Sequence, residues 1–391
     1  MWLFNWVAGP EDILTDLLHT LFGTQSVLIG TIVPFLIVLT VVVFVHEMGH
    51  YLVGRWCGIG VKAFSVGFGP ELIGFNDRNG TRWKLSAIPL GGYVKFAGDE
   101  GVTSSTSTGV EKMSAAERAV AFHTQPVWKR AATVFAGPAF NILLTIVIFS
   151  VFFALYGKMV ADPMVAEVRP GGPAAIAGFQ PGDRFLSVDG DKIETFSDVQ
   201  RHVSARAGDP LSFVVERAGQ EVHLTATPEL SEQQDALGNT IKVAVIGVVN
   251  SQELGNFRRI EYGPIESVGQ AVRESGFIIA RTGQFFGRFF AGREDKCQLG
   301  GPVKIATMAG QAASQGIDWL IQLTAMLSIG IGLLNLFPLP PLDGGHLVFY
   351  AAEAIIGRPV KPVVQELFFR AGFFLVLGFM GFVVFNDLFA C

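Results

Sequence analysis

His46 and His50 stand four residues apart in the stretch FVHEMGHYLVG (44–54), with Glu47 beside the first of them. On a helix, residues four apart share a face, so both imidazoles can aim a nitrogen at one Zn²⁺. Glu47 is then placed to take a proton from water whose pKa a bound zinc brings toward about 7. A catalytic zinc site uses three protein ligands and keeps a fourth position open, so a third ligand has to come from elsewhere in the chain. The pattern alone arises by chance in about one chain in a hundred of this length. Its setting changes those odds, because the residues before it read PFLIVLTVVVFV. Ionisable groups inside such an apolar helix cost several kcal/mol and mark function by default.

Two patterns familiar from soluble zinc peptidases do not supply the third ligand. One would continue with Gly at 53 and His at 56, where this chain has Val53 and Trp56. The other would offer a glutamate on a downstream helix, but Glu71 lies among strand and turn signals. Asp343 is the better candidate, in GLLNLFPLPPLDGGHLVFY (332–350). It follows the end of one apolar segment as the histidines sit near the end of another. Pro338, Pro340 and Pro341 break the helix before it and free backbone groups that need a protein-lined or watered site. Gly344 and Gly345 allow a tight turn behind it. Without His46 and His50, the Asp-Gly pair would read as an ordinary turn.

Four segments are long and apolar enough to cross a bilayer: about Val27–Val53, Ala132–Tyr156, Trp319–Pro338 and Ala371–Ala390. Half of the 391 residues are hydrophobic, 16% are charged and mean hydropathy is +0.43, a membrane-class composition. The net charge of −5 gives no reason to expect a nucleic acid partner. Cys57, Cys297 and Cys391 are too scattered for a disulfide framework or a cysteine metal site. The first 27 residues carry no Lys or Arg, so a charged secretory leader is not expected. Lys and Arg gather in 54–130 and recur in 341–370, which puts those loops in the cytoplasm and the N-terminal tail and the long insert outside.

The expected fold is an α-helical polytopic membrane protein of about four transmembrane helices, with a membrane-associated β-hairpin region and an inserted soluble α/β PDZ-like domain. The divisions are a tail and first helix (1–60), a cytoplasmic or membrane-associated β region and loop (61–131), a second helix (132–157) and the PDZ-like domain (158–252). An amphipathic connector on the outer membrane face (253–318) and two last helices (319–391) complete the chain. Alternating strands broken by Gly-Asp and Asp-Gly turns carry the PDZ reading, centred on GGPAAIAGFQPGDRFLSVDG. A helix is expected after Ser197 as N-cap, and 229–252 is expected to add a last strand. Residues 62–97 read as strands with Asn-Gly and Gly-Gly turns, packed near the site. The run TSSTSTG (103–109) is of low complexity. FIIARTGQFFGRFF (277–290) interleaves Arg with Phe and Ile, as a helix lying on a membrane surface does. His123 reads as a surface residue and His346 as a plain helix residue.

The His46–His50 motif in a first spanning helix, with Asn335 to Gly344 reading N-x-x-P-x-x-x-L-D-G in a later one, resembles the site-2 protease family of intramembrane zinc metalloproteases. SVGFGP, IPLGGYVKFAGD and FAGPAFNILL match that family too, and a PDZ-like insert is similar to its regulator-of-sigma-E branch. Nearly the whole chain is covered, although members with two tandem PDZ domains are well known and this chain has room for one. The resemblance implies Zn²⁺ held by His46, His50 and Asp343, with Glu47 as general base. It implies that Asn335 holds the substrate backbone and that the strands at Gly67, Gly69, Gly92 and Tyr93 receive it extended, by edge pairing. It implies single-span membrane proteins as substrates, such as an anti-sigma factor or a signal-peptide remnant, cut within the bilayer after trimming outside. The PDZ-like domain would screen or bind the trimmed end on the periplasmic side of a bacterial inner membrane, with the active site near the cytoplasmic side. An inactive scaffold and a metal transporter are the competing readings. The intact His46, Glu47, His50 and Asp343 set argues against the first, and the few polar residues of the second and fourth helices argue against the other.

Overall fold

The computed structural model describes residues 28–98, 113–204, 206–234, 240–250, 257–290 and 300–390; the run 103–109 and the tail 1–27 lie outside them. A π-turn (Leu28–Ile32) leads into α1 (Val33–Trp56), whose first turn holds Pro34, a residue with no N–H to waste there. The continuous span Ile29–Trp56 has 28 residues and is about 42 Å long, more than the roughly 30 Å of bilayer hydrocarbon.

Strands β1 (Val61–Asn76) and β2 (Arg82–Phe96) follow as an antiparallel pair, with Val61 opposite Phe96, Val66 opposite Gly92 and Asn76 opposite Arg82. Asp77 organises their turn by accepting the backbone N–H groups of Asn79 and Thr81 at 2.8 and 2.9 Å. It also accepts the Trp83 indole and the Tyr51 hydroxyl of α1, each at 3.1 Å, and so ties the hairpin to α1. Phe64, fully buried, stacks on Trp83 at 4.4 Å and meets Tyr51 edge-on.

The short α2 (Ala115–Val120) starts with a capping box of Ser114 and Glu117. Helix α3 (Val127–Tyr156) is the second span and begins at Val127, earlier than the apolar run suggests.

The insert opens with β3 (Lys158–Ala161), β4 (Val165–Val168) and α4 (Pro173–Ala177). Then come β5 (Arg184–Val188), β6 (Asp191–Lys192), α5 (Phe196–Ser204), β7 (Leu211–Arg217) and β8 (Gln220–Ala226). It closes with β9 (Glu229–Gln234), β10 (Thr240–Val245), β11 (Val248–Asn250) and β12 (Phe257–Ile260). The main sheet runs β6-β5-β7-β8 over a core of Phe179, Phe185, Leu211 and Phe213. Strand β11 pairs with β4, so the stretch after β8 does add a last strand. Strand β12 pairs with β3, which brings both ends of the insert together beyond the end of α3. Helix α5 starts at Phe196, one residue before the expected Ser197 cap. Thr195 donates its N–H and hydroxyl to Asp198, and this fixes the first turn instead.

Helices α6 (Pro264–Phe290), α7 (Pro302–Gln315), α8 (Ile317–Asn335), α9 (Asp343–Ile356) and α10 (Pro362–Phe385) complete the chain. Helix α6 corrects the expectation of a connector lying flat on the outer face. Ala271 and Ile278 share a core with Phe149 and Phe153 of α3 and Ile329 of α8, and the Phe286 ring meets Phe337, beyond the far end of α8, at 4.9 Å. It runs along the spanning helices because its apolar face has a protein partner, which an amphipathic pattern cannot tell from lipid. Helix α10 starts at Pro362 rather than Ala371, with Pro362 in its first turn and Glu366 and Arg370 paired one turn apart on its surface. Four helices, Ile29–Trp56, Val127–Tyr156, Ile317–Asn335 and Pro362–Phe389, are long and apolar enough to cross a membrane, and the chain is a multi-pass helical membrane protein with an α/β insert.

Candidate metal centre and active site

The site is made where α1, α3 and α9 converge. His46 lies ten residues before Trp56, about 15 Å from the end of the span. Helix α3 presses directly on this part of α1. A Cβ at Gly49 would strike the Ala136 carbonyl, and one at Gly137 would strike the His50 ring and stand 2.8 Å from His46 Nε2. Two glycines therefore let the helices come close enough for α3 to hold the imidazoles. Thr133, Gly137 and Asn141, spaced by four, form the stripe of α3 that faces them.

His50 donates its Nδ1 proton to the Thr133 carbonyl at 2.9 Å, which leaves the lone pair on Nε2. His46 Nε2 lies 3.1 Å from that nitrogen. Asp343 Oδ2 is 3.1 Å from His46 Nε2 and 3.6 Å from His50 Nε2. The three ligand atoms all fall within 4.8 Å of one another. Asp343 is the first residue of α9, where the helix dipole favours an anion. Its Oδ2 is buried, yet it receives no hydrogen bond of proper geometry. Two imidazole nitrogens and a carboxylate oxygen converging in this way fit a zinc ion, and two His with one carboxylate is a catalytic donor set.

Helix α9 is itself fixed. Arg130 of α3 makes a bidentate pair with Glu353, at 2.6 and 3.1 Å, and its guanidinium lies 5.1 Å from the Tyr350 ring centre. Gly344 and Gly345 lie in the first turn of α9 rather than in a tight turn, and what they allow is close packing on the backbone before it. A Cβ on the first would collide with the carbonyls of Leu336 and Phe337, and one on the second with Pro340.

A cavity of about 450 Å³ opens on the three ligand residues and is also lined by Glu47, Phe68, Gly92, Tyr93, Asn335 and His346. Gly92 leaves room for the Glu47 side chain, since a Cβ there would stand 3.1 Å from Glu47 Cγ. Asn335, Gly92 and Tyr93 thus line the same cavity as His46, His50 and Asp343. Gly67 and Gly69 are not among the lining residues. With φ of 88° and 86° they bend β1, and the residue between them, Phe68, lines the cavity and stacks with Tyr93 at 6.2 Å. His346 lines the cavity and packs on Phe369, while His123 is half-buried with its Nε2 covered. Thr133, Gly137, Asn141 and the Arg130–Glu353 pair join the site only through the tertiary structure, although the fourfold spacing of the first three marks one face of α3.

Comparison with known proteins gives the same picture. The chain matches peptidase family M50 over residues 34–379. A relative from Brucella suis is 72% identical over 380 residues, covering 97% of this chain and all of the relative. Another from Mesorhizobium japonicum is 70% identical over 365 residues, covering 93% of this chain and all of its own; both names carry the words zinc metalloprotease. Metalloprotease MmpA of Caulobacter vibrioides is 40% identical over 383 residues, covering 91% of this chain and 95% of its own. Among solved structures, the PDZ domain of an SdrC-like protein from Listeria monocytogenes matches 23% of this chain and 88% of its own, at 17% identity and a TM-score of 0.19. The chain belongs to peptidase family M50, the site-2 proteases, and is a zinc metalloprotease of the membrane.

Proposed function

We propose that the protein is an intramembrane endopeptidase that cuts single-span membrane proteins within their membrane segment. The observation that carries this reading is the convergence of His46, His50 and Asp343 beside Glu47 at a depth of about 15 Å inside a spanning helix. In this reading those three side chains hold Zn²⁺, which supplies Lewis acidity and makes water nucleophilic near neutral pH. Glu47, which lines the cavity against Gly92, takes one proton from the attacking water as the water oxygen bonds to the scissile carbonyl carbon. It passes that proton to the departing nitrogen as the C–N bond breaks, which leaves a carboxylic acid and an amine. Asn335 offers a donor and an acceptor to a substrate backbone whose helix has opened. Residues 92–94 of β2 offer it an extended partner, with Tyr93 and Phe68 as the aromatic wall.

The distribution of Lys and Arg supports a bacterial inner-membrane orientation with the active site toward the cytoplasm and the PDZ-like module outside. The module then screens substrates, by size or by binding the C-terminus left by an earlier cut. The experiment incubates purified protein in detergent with a single-span substrate in trimmed and untrimmed forms, and maps the cut by mass spectrometry. A cut inside the apolar segment of the trimmed form, abolished by chelator and restored by zinc, is the expected result. A cut confined to the soluble flank would refute the intramembrane reading. Deleting 165–228 is expected to permit cleavage of the untrimmed form, and unchanged discrimination would defeat the screening role.

A further inference from the structure

Both histidines need the same tautomer. To give Nε2 to a metal, a neutral imidazole must carry its proton on Nδ1, and that proton needs an acceptor. For His50 the acceptor is the Thr133 carbonyl. At His46 Nδ1 stands the side-chain amide of Asn141, its Nδ2 3.3 Å away. Asn141 is wholly buried and its Oδ1 has no hydrogen-bond partner. An NH₂ group facing a ring N–H would set donor against donor. A half-turn of the amide, whose two ends have nearly the same shape, turns the unpartnered oxygen to the ring.

We propose that Asn141 is a positioning residue of the metal centre: its Oδ1 accepts the Nδ1 proton of His46 and so fixes both the ring and the tautomer that bind zinc. This rests on the reading of His46 as a ligand. The main chain at this position is anchored independently of the amide. Thr145 and Ser328 both donate hydroxyl hydrogen bonds to the Asn141 carbonyl, at 3.1 and 2.9 Å, and Thr145 Oγ1 is also 2.8 Å from the Ala325 carbonyl. Gly332 of α8 lets the helices close here, since a Cβ on it would stand 3.1 Å from Asn141 Cβ. Thr133, Gly137 and Asn141 then act as one device: a carbonyl for the second histidine, a gap for both rings, and an amide for the first.

The test measures zinc affinity by chelator competition on the full-length protein in detergent, which needs no turnover. Asn141→Leu is expected to weaken zinc binding by about 10- to 100-fold, the usual effect of losing an outer partner of a ligand histidine. Asn141→Asp, whose carboxylate accepts the same proton, is expected to stay within a few-fold of wild type. Ser328→Ala, which removes a bond to the main chain alone, is expected to leave affinity unchanged. Wild-type affinity in a folded Leu variant would overturn the proposal, as would an Asp variant as weak as Leu. If the Leu variant does not fold, Asn141→Ser takes its place against Asp, with the same two outcomes. His46→Ala separates the levels: zinc retained there refutes His46 as a ligand, whereas zinc lost there but kept in Asn141→Leu refutes this inference alone.

Discussion

Gly137→Ala adds one methyl group at the most crowded point of the site. Its Cβ would stand 2.8 Å from His46 Nε2 and nearer still to the His50 ring. Ordinary contact needs about 3.5 Å, so the first ring must retreat by about 0.7 Å and the second by more. Catalytic constellations tolerate about 0.5 Å, and a misplacement of about 1 Å costs on the order of 100-fold in rate. That is about 2.7 kcal/mol of barrier, at about 1.36 kcal/mol per tenfold. Overpacking costs about 1–3 kcal/mol of stability, which a multi-helix frame can absorb and remain folded. The assay measures initial cleavage rate, bound zinc per chain and thermal unfolding on the same preparation. The expected variant is folded, short of zinc and slower by about 100-fold. A folded variant with full zinc and wild-type rate would refute the claim that α3 sets the spacing of the histidines.

Removing one partner of the Arg130–Glu353 pair leaves a charge with most of its surface buried. Arg130→Met is therefore expected to destabilise by about 3 kcal/mol in denaturant titration and to lower zinc affinity through the loosened Asp343, while Arg130→Met with Glu353→Leu recovers most of the stability. Burial raises the pKa of Asp77, but bonds from the Thr81 N–H, the Trp83 indole, the Asn79 N–H and the Tyr51 hydroxyl outweigh it and hold the group down to about 2. A lowered folded pKa gives stabilisation that is present above the ordinary value near about 3.9 and is lost as pH falls through about 2. Acid titration followed by near-ultraviolet circular dichroism is expected to show this loss in wild type, and a smaller one in Asp77→Asn.

The chemistry was legible because its spacing is local. His46, Glu47 and His50 need a helix and nothing more, and Asp343 announces itself as a carboxylate after a helix broken by prolines. The supporting layer was legible only as a face of α3, from the fourfold spacing of Thr133, Gly137 and Asn141, and not as a partner of the histidines. Gly137 and Asn141 matter through what α1 places against them, and a glycine and an asparagine in an apolar helix read equally well as packing. Helix α6 shows the same limit at larger scale. Its amphipathic pattern predicts two faces, but tertiary contact with Phe149, Phe153 and Phe337 decides what covers the apolar one. The family resemblance places Gly67 and Gly69 on a strand that receives substrate; in the structure they bend β1, and Phe68 between them lines the cavity.

The measurement closest to the central claim compares wild type with Glu47→Gln, reading bound zinc and cleavage of a single-span substrate on the same samples. Glu47 lines the cavity beside the three ligand residues without being one of them. The variant is expected to keep its zinc and to lose cleavage by at least about 100-fold, because the base is gone and the ligands remain. Cleavage at the wild-type rate with zinc retained would contradict Glu47 as the proton acceptor.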